Sequence, residues 1–239
     1  MSVLRSLLFS LGMGISTLIF APLSVMTFPF PFAVRYCFIS QWARFNLWWL
    51  EKTCRLSYKV AGQENIPASN AIIFCKHQSA WETLALQCIF PPQVWVLKRE
   101  LLWVPFFGWG LAMLEPVAVD RKSGKQAIRQ LLEQGARRLQ DGRWVVIFPE
   151  GTRIAPGHKG RYAPGGAILA ENTGYPVVPV AHNAGEFWPR RGFIKRPGVI
   201  QVAIGPVIET SGRGAEEINR LAEAWIEGKM QEISTLSPR

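Results

Sequence analysis

Histidine is scarce in this chain: only His77, His158 and His182 occur. The first stands in the run Lys76-His77-Gln78-Ser79-Ala80-Trp81-Glu82. Ser79 followed three residues later by Glu82 is a capping-box pattern, which predicts a helix from Ala80 to about Ile89 with Ser79 as its N-cap. His77 then lies in the loop just before the helix. From the first helical turn Glu82 could reach back to one ring nitrogen of His77. That would set the tautomer and leave the other nitrogen free as a base, the pairing used in acyl transfer. No Ser or Cys nucleophile is needed if the substrate brings its own hydroxyl. A plainer reading stays open, in which Glu82 only caps a helix and His77 only fills the end of a strand.

The elements that must position this pair can be read from the apolar runs. These are Ala71–Cys75, Val94–Leu97, Pro116–Val119, Trp144–Phe148 and Pro176–Ala181. Continuous runs of this length, rich in Val and Ile, suit strands buried on both faces. Between them, Ser123–Gln140 reads as an amphipathic helix with Ile128, Leu131, Leu132, Ala136 and Leu139 on one face. Alternation of this kind predicts an α/β fold with a mostly parallel sheet flanked by helices. Phe193–Ile208 reads as a hairpin around Pro197-Gly198. Ala215–Ile233 reads as a last amphipathic helix.

Parallel sheets bind ligands at the carboxyl ends of their strands. Here four strand ends carry Lys76-His77, Lys98-Arg99, Asp120-Arg121 and Pro149-Glu150-Gly151-Thr152-Arg153. One edge would therefore collect a histidine, carboxylates and several cations, which suits a phosphorylated substrate and a proton transfer.

The N-terminus is of another character. No charged residue lies between Arg5 and Arg35, and a spanning helix needs only ~20 apolar residues. The prolines of Phe28-Pro29-Phe30-Pro31 should end that helix. Phe32–Tyr58 follows as an aromatic and basic helix, with Phe38, Trp42, Phe45, Trp48 and Trp49 at helical spacing, of the kind that lies at a membrane interface. The expected division is a membrane-associated helix pair over residues 1–58 and a catalytic domain over 59–239. Whether the pair spans the bilayer or dips into one leaflet is open in the sequence, and a buried core pair is the soluble alternative.

Composition agrees. Lys and Arg outnumber Asp and Glu by 27 to 17, which calls for a negative partner. With ten Trp and fourteen Phe in 239 residues, an anionic membrane fits better than nucleic acid. The four cysteines form no C-x-x-C pair and have no histidine at metal-ligand spacing, so neither a zinc site nor a disulfide framework is expected.

At this point the residues resemble a known family. His77-Gln-Ser-Ala-Trp-Glu82 is similar to the His-x-x-x-x-Asp motif of the glycerolipid acyltransferases, and Phe148-Pro149-Glu150-Gly151-Thr152-Arg153 matches their F-P-E-G-T-R signature. Val177-Val178-Pro179-Val180 resembles their apolar-proline block, and Val119-Asp120-Arg121 their strand-end arginine. The bacterial 1-acylglycerol-3-phosphate acyltransferases are the nearest sub-type. The resemblance implies acyl transfer from acyl-CoA or acyl carrier protein to a lysophospholipid, giving phosphatidic acid, without a metal or redox cofactor. It implies His77 as base and Glu82 as its partner. Arg121 and Arg153 would hold the phosphate, Glu150, Gly151 and Thr152 would shape the acceptor site, and Lys98 would join them in binding substrate. It also implies an inner bacterial membrane with the catalytic domain on the cytoplasmic face. The chain departs from the family at Glu82, where Asp is usual, at Lys76, where Asn is frequent, and after F-P-E-G-T-R, where Tyr162-Ala-Pro-Gly-Gly166 stands in the region of the usual Lys-Gly.

Two other functions are weighed against this one. The same scaffold could acylate another lysophospholipid or an aminolipid precursor. A non-catalytic lipid-binding relative is the third, supported by Glu82 and opposed by the intact F-P-E-G-T-R. The strongly apolar Leu101–Leu114 is either core or the wall of an acyl-chain groove.

Overall fold

The computed structural model describes residues 1–236. Two long helices, α1 (Ser2–Met26) and α2 (Phe32–Cys54), lead into a sheet of seven strands. The strands are β1 (Leu56–Ala61), β2 (Ile72–Cys75), β3 (Gln93–Lys98), β4 (Val117–Val119), β5 (Trp144–Ile147), β6 (Val177–His182) and β7 (Gly198–Ile204). The helices among them are α3 (Trp81–Ile89), α4 (Phe107–Met113), α5 (Lys125–Gln140), α6 (Gly165–Thr173), α7 (Ala184–Phe187) and α8 (Ala215–Ile233).

The strand order is β1-β7-β6-β2-β5-β3-β4. Every pairing is parallel except β6 with β7. The five expected apolar runs all form strands. Every residue of β2, β5 and β6 is buried, as helices on both faces of a parallel sheet require. One layer of core joins α2 and α3 to one face, and α5, α6 and α8 cover the other. Gly166 lets α6 approach, because a Cβ there would come within 2.8 Å of the Phe74 ring.

Three expectations need correction. Phe193–Ile208 is not a hairpin. Only Gly198–Ile204 is a strand, and it pairs in parallel with β1. Before it, the Lys195 backbone N–H donates to Ser6 Oγ of α1 at 2.9 Å, and its ammonium lies among the rings of Phe9, Trp188 and Phe193. That docking takes the place of strand pairing. Secondly, α2 ends at Cys54 and β1 begins at Leu56, so the division expected after Tyr58 falls inside the first strand of the sheet. Thirdly, Ile128 is exposed on α5, whose buried side is Leu131, Gly135 and Leu139.

Helix α1 is built inside out. Its buried residues are Ser6, Phe9, Ser16, Ala21 and Ser24, whereas Leu4, Leu7, Leu8, Leu11, Ile15, Leu18 and Ile19 face outward. Ser16 Oγ accepts from the Trp42 indole at 3.1 Å. A Cβ on Gly12 would fall 2.1 Å from the Trp49 ring, so α1 and α2 touch through a glycine. Small and polar residues toward the protein with Leu and Ile outside is the pattern of helices packed in lipid, not in a water-soluble core. α1 is also the one helix among the described residues long and apolar enough to cross a membrane. Arg35, the first basic residue of α2, faces inward. It is buried and paired with Glu115, which Arg138 and Arg143 also contact.

Candidate active site

The strand ends meet as the parallel sheet predicts. His77 follows β2, and Glu82 lies in the first turn of α3. His77 Nδ1 is 2.8 Å from Glu82 Oε1. A carboxylate only accepts, so Nδ1 carries the proton and Nε2 is left as the basic nitrogen. The Glu82 carboxylate is fully buried and also accepts the backbone N–H of Gln78 at 3.0 Å and of Ser79 at 2.9 Å. Helix α3 begins one residue later than expected, at Trp81, and Ser79 Oγ accepts from the Trp81 N–H at 3.1 Å. The acid half of the capping box is therefore as expected, and the serine half is shifted.

The carboxyl of Glu82 is held below the usual range. Burial alone would raise it, but the charge and hydrogen bonds offered by the two histidines and the Ser79 amide outweigh burial. Of the influences that lower it, the charge of His182 comes first, with Nε2 3.9 Å from Glu82 Oε2. Burial pushes the pKa of His182 itself down, Nε2 donates to the Lys76 carbonyl at 2.8 Å, and Nδ1 accepts from the Ala184 N–H at 3.2 Å. The Glu82 charge is thus supported by His182, His77 and the two amides.

The ring plane of His77 has its own restraint. It stacks on Phe148, with centroids 4.0 Å apart and planes at 17°, and Phe148 in turn stacks on Trp95 of β3 at 5.9 Å. Phe148 belongs to the F-P-E-G-T-R segment, which thus supplies a wall for the His77 ring as well as a turn. Gly151 in that turn has φ +63°, a conformation that favours glycine. The segment's next residue, Ile154, donates its N–H to the His77 carbonyl at 2.8 Å.

Glu150 is not where the acceptor site was expected to find it. Its carboxylate points away from the cavity, accepts the His77 N–H at 3.0 Å and the Gly160 N–H at 3.2 Å, and lies 2.7 Å from Lys76 Nζ. Lys76 is 1% exposed and bridges to Glu227 of α8 at 2.8 Å. Tyr162 donates its hydroxyl to Glu227 at 2.9 Å. A carboxylate beside an ammonium in a dry site has its charge satisfied internally and is not free to bind a substrate. Deleting one partner of such a buried pair typically costs ~3–5 kcal/mol. Sequence reading did not find this cluster, because nothing local links Glu150 to Glu227.

A cavity of about 520 Å³ opens on His77. Gly151, Thr152, Arg153, Arg121 and Lys98 line it, as expected, and Arg190 and Arg191 were missed. Arg121 donates to the Gly151 carbonyl and Arg190 to the Arg153 carbonyl, so both arginines brace the F-P-E-G-T-R turn. Lys98 is 3.2 Å from Glu100. Most of the remaining lining is apolar and comes from α1, α2, α3, β3, α4 and the turn before α4, including Phe20, Ile39, Leu101, Phe107 and Leu111, with Thr17, Ser24, Thr83 and Gln87 as its polar members. Leu101–Leu114 therefore serves as a groove wall. Trp103 and Trp109 from the same stretch remain exposed. The site offers a base beside a cationic end and an apolar slot, which fits an amphiphile with an anionic head.

A family model described as Acyltransferase matches residues 57–183. The chain is 48% identical over 241 residues to the 1-acyl-sn-glycerol-3-phosphate acyltransferase of Pseudomonas aeruginosa, covering 99% of this chain and 94% of that one. It is 32% identical over 178 residues to the enzyme of the same name from Saccharomyces cerevisiae, covering 70% and 57%. The crystal structure of a 1-acyl-sn-glycerophosphate acyltransferase from Thermotoga maritima superposes with a TM-score of 0.82, covering 100% of this chain and 98% of that one at 21% identity, a likeness of fold.

Proposed function

This chain belongs to the acyltransferase family, and on that premise we propose that it transfers a fatty acyl group to the free hydroxyl of 1-acylglycerol-3-phosphate, making phosphatidic acid. The donor is a thioester of coenzyme A or of acyl carrier protein. The observation that carries the reading is the buried Glu82 carboxylate on Nδ1 of a histidine whose ring lines a cavity that is cationic at one end and apolar along the rest.

In this mechanism Nε2 of His77 takes the proton of the acceptor hydroxyl as its oxygen attacks the thioester carbonyl. Glu82 stabilises the imidazolium that forms, and the Phe148 ring keeps its plane. The tetrahedral adduct collapses to the ester, the C–S bond breaks, and the imidazolium returns its proton to the departing thiolate. Arg121 and Arg153 hold the acceptor phosphate, with Gly151, Thr152 and Lys98 at its rim. Glu150 has no contact with substrate. The acyl chain lies in the slot between α1, α2 and α4. The outward apolar face of α1 associates the protein with a membrane. The catalytic domain is assigned to the cytoplasmic side of a bacterial inner membrane, as the likeness to the bacterial acyltransferases implies.

The test is transfer by the purified protein to a panel of lysolipids. Lysophosphatidic acid should be the best acceptor. His77→Ala should lose about a hundred- to ten-thousand-fold in rate while still folding, the usual contribution of a positioned base. Preference for a different headgroup would reassign the acceptor, and a fully active His77→Ala would remove the mechanism.

A further inference from the structure

His77 is held from two sides, and only one of them is Glu82. Its ring is fixed by Glu82 and Phe148. Its backbone N–H is fixed by Glu150, whose other oxygen is bound by Lys76. Lys76 is in turn shared with Glu227, and Glu227 with Tyr162. None of Lys76, Glu150, Tyr162 and Glu227 lines the cavity. The four come from the end of β2, the F-P-E-G-T-R turn, the segment before α6, and α8. One ammonium thus faces two carboxylates in a site where Lys76 and Glu150 are almost fully buried. Glu227 is 17% exposed and is the outermost member.

Such an arrangement is costly for packing alone, since an apolar contact of the same volume would serve α8 as well or better. What it does that an apolar contact cannot is fix the position of the Glu150 carboxylate, and through it the height of the His77 backbone. We infer that Lys76, Glu227 and Tyr162 are positioning residues for the base, and that α8 is part of the catalytic scaffold. The inference rests on the acyl-transfer reading, with His77 as the base. A base displaced by a fraction of an ångström loses rate without losing substrate affinity.

The test uses the full-length protein in detergent, with Glu227→Leu, Glu227→Gln and Tyr162→Phe compared by kcat, KM and Tm. Glu227→Leu should lower kcat by about tenfold or more. The KM values for donor and acceptor should stay within about twofold, the pattern of an interaction made for the transition state. Glu227→Gln keeps an oxygen for both Lys76 and Tyr162 and should retain more kcat than Leu. Tyr162→Phe removes a hydroxyl and little else, and should lower kcat without a matching loss of Tm. A contact that only packs α8 would lower Tm and leave kcat per folded molecule as in the parent. That result in Glu227→Leu overturns the inference. If Glu227→Leu does not fold, Glu227→Gln and Tyr162→Phe decide by the same criterion. A parent with no transfer to any acceptor overturns the acyl-transfer reading and the inference together. An active parent with kcat-neutral variants overturns only the inference.

Discussion

Glu82 Oε1 lies 2.8 Å from Nδ1 of His77 and, in the same position, accepts the amides that precede α3. One side chain both starts the helix and holds the His77 ring. The two readings open in the sequence are therefore not exclusive, and a single substitution must disturb both.

Glu82→Gln keeps an oxygen for the imidazole N–H but removes the charge that supports the imidazolium. It should lower kcat by more than about tenfold, equivalent to ~1.4 kcal/mol in the barrier. Glu82→Asp, one methylene shorter, should fall between Gln and the parent. Steady-state kinetics of the three proteins checks the order. A Gln variant as active as the parent would leave Glu82 as a cap only.

The same carboxyl sets a pH dependence of stability. Its folded-state pKa is depressed, so its contribution is fully present above the unfolded value of about 4.3 and is lost as pH falls through the folded value. The parent should be more stable than Glu82→Gln at neutral pH, and the difference should shrink below about pH 4. Melting curves in detergent across that range test it. A difference that stayed constant to low pH would show that the charge does not stabilise the fold.

Arg121 and Arg153 stand at the cationic end of the cavity, and Arg121 also braces the Gly151 carbonyl. A planar fork holds phosphate in a way Lys cannot copy. Arg153→Lys should raise KM for lysophosphatidic acid by about tenfold, the lower end of what a hydrogen bond to a charged group is worth. It should affect a phosphate-free monoacylglycerol far less. Equal losses on both acceptors would mean that Arg153 acts on the turn and not on the phosphate.

Glu150 offers a cleaner contrast. If it touched the acceptor, Glu150→Gln would raise KM. Facing Lys76 and the His77 amide, it should instead lower kcat several-fold with KM for lysophosphatidic acid within about twofold, as for a group that only orients the base.

The outward Leu and Ile of α1 should keep the protein in the membrane pellet after alkaline carbonate washing. A detergent-free, soluble, full-length monomer would contradict the inside-out packing of that helix.

Much of this was legible in the residues. The buried strands announce themselves as unbroken Val and Ile runs, because a strand covered on both faces has no polar side to show. α8 was read with its observed limits because its apolar residues recur every three or four positions. That His77, Arg121 and Arg153 meet at one cavity could be read because parallel strands deliver their carboxyl ends to one edge. Phe193–Ile208 misled for the opposite reason. Pro197-Gly198 is a local turn signal, but β7 finds its partners in β1 and β6, and Lys195 is drawn into an aromatic cluster on α1.

By itself, then, the sequence determined which elements form, which strand ends carry chemistry and that the N-terminus prefers lipid. All of these follow from side-chain polarity and spacing along one segment. Only the tertiary structure decided which face of α1 meets the protein, that Phe148 stacks on His77, and that Glu150 turns from the cavity toward Lys76. A buried carboxylate goes where its counter-charge and N–H donors are, and here α8 closes that circuit from the far end of the chain.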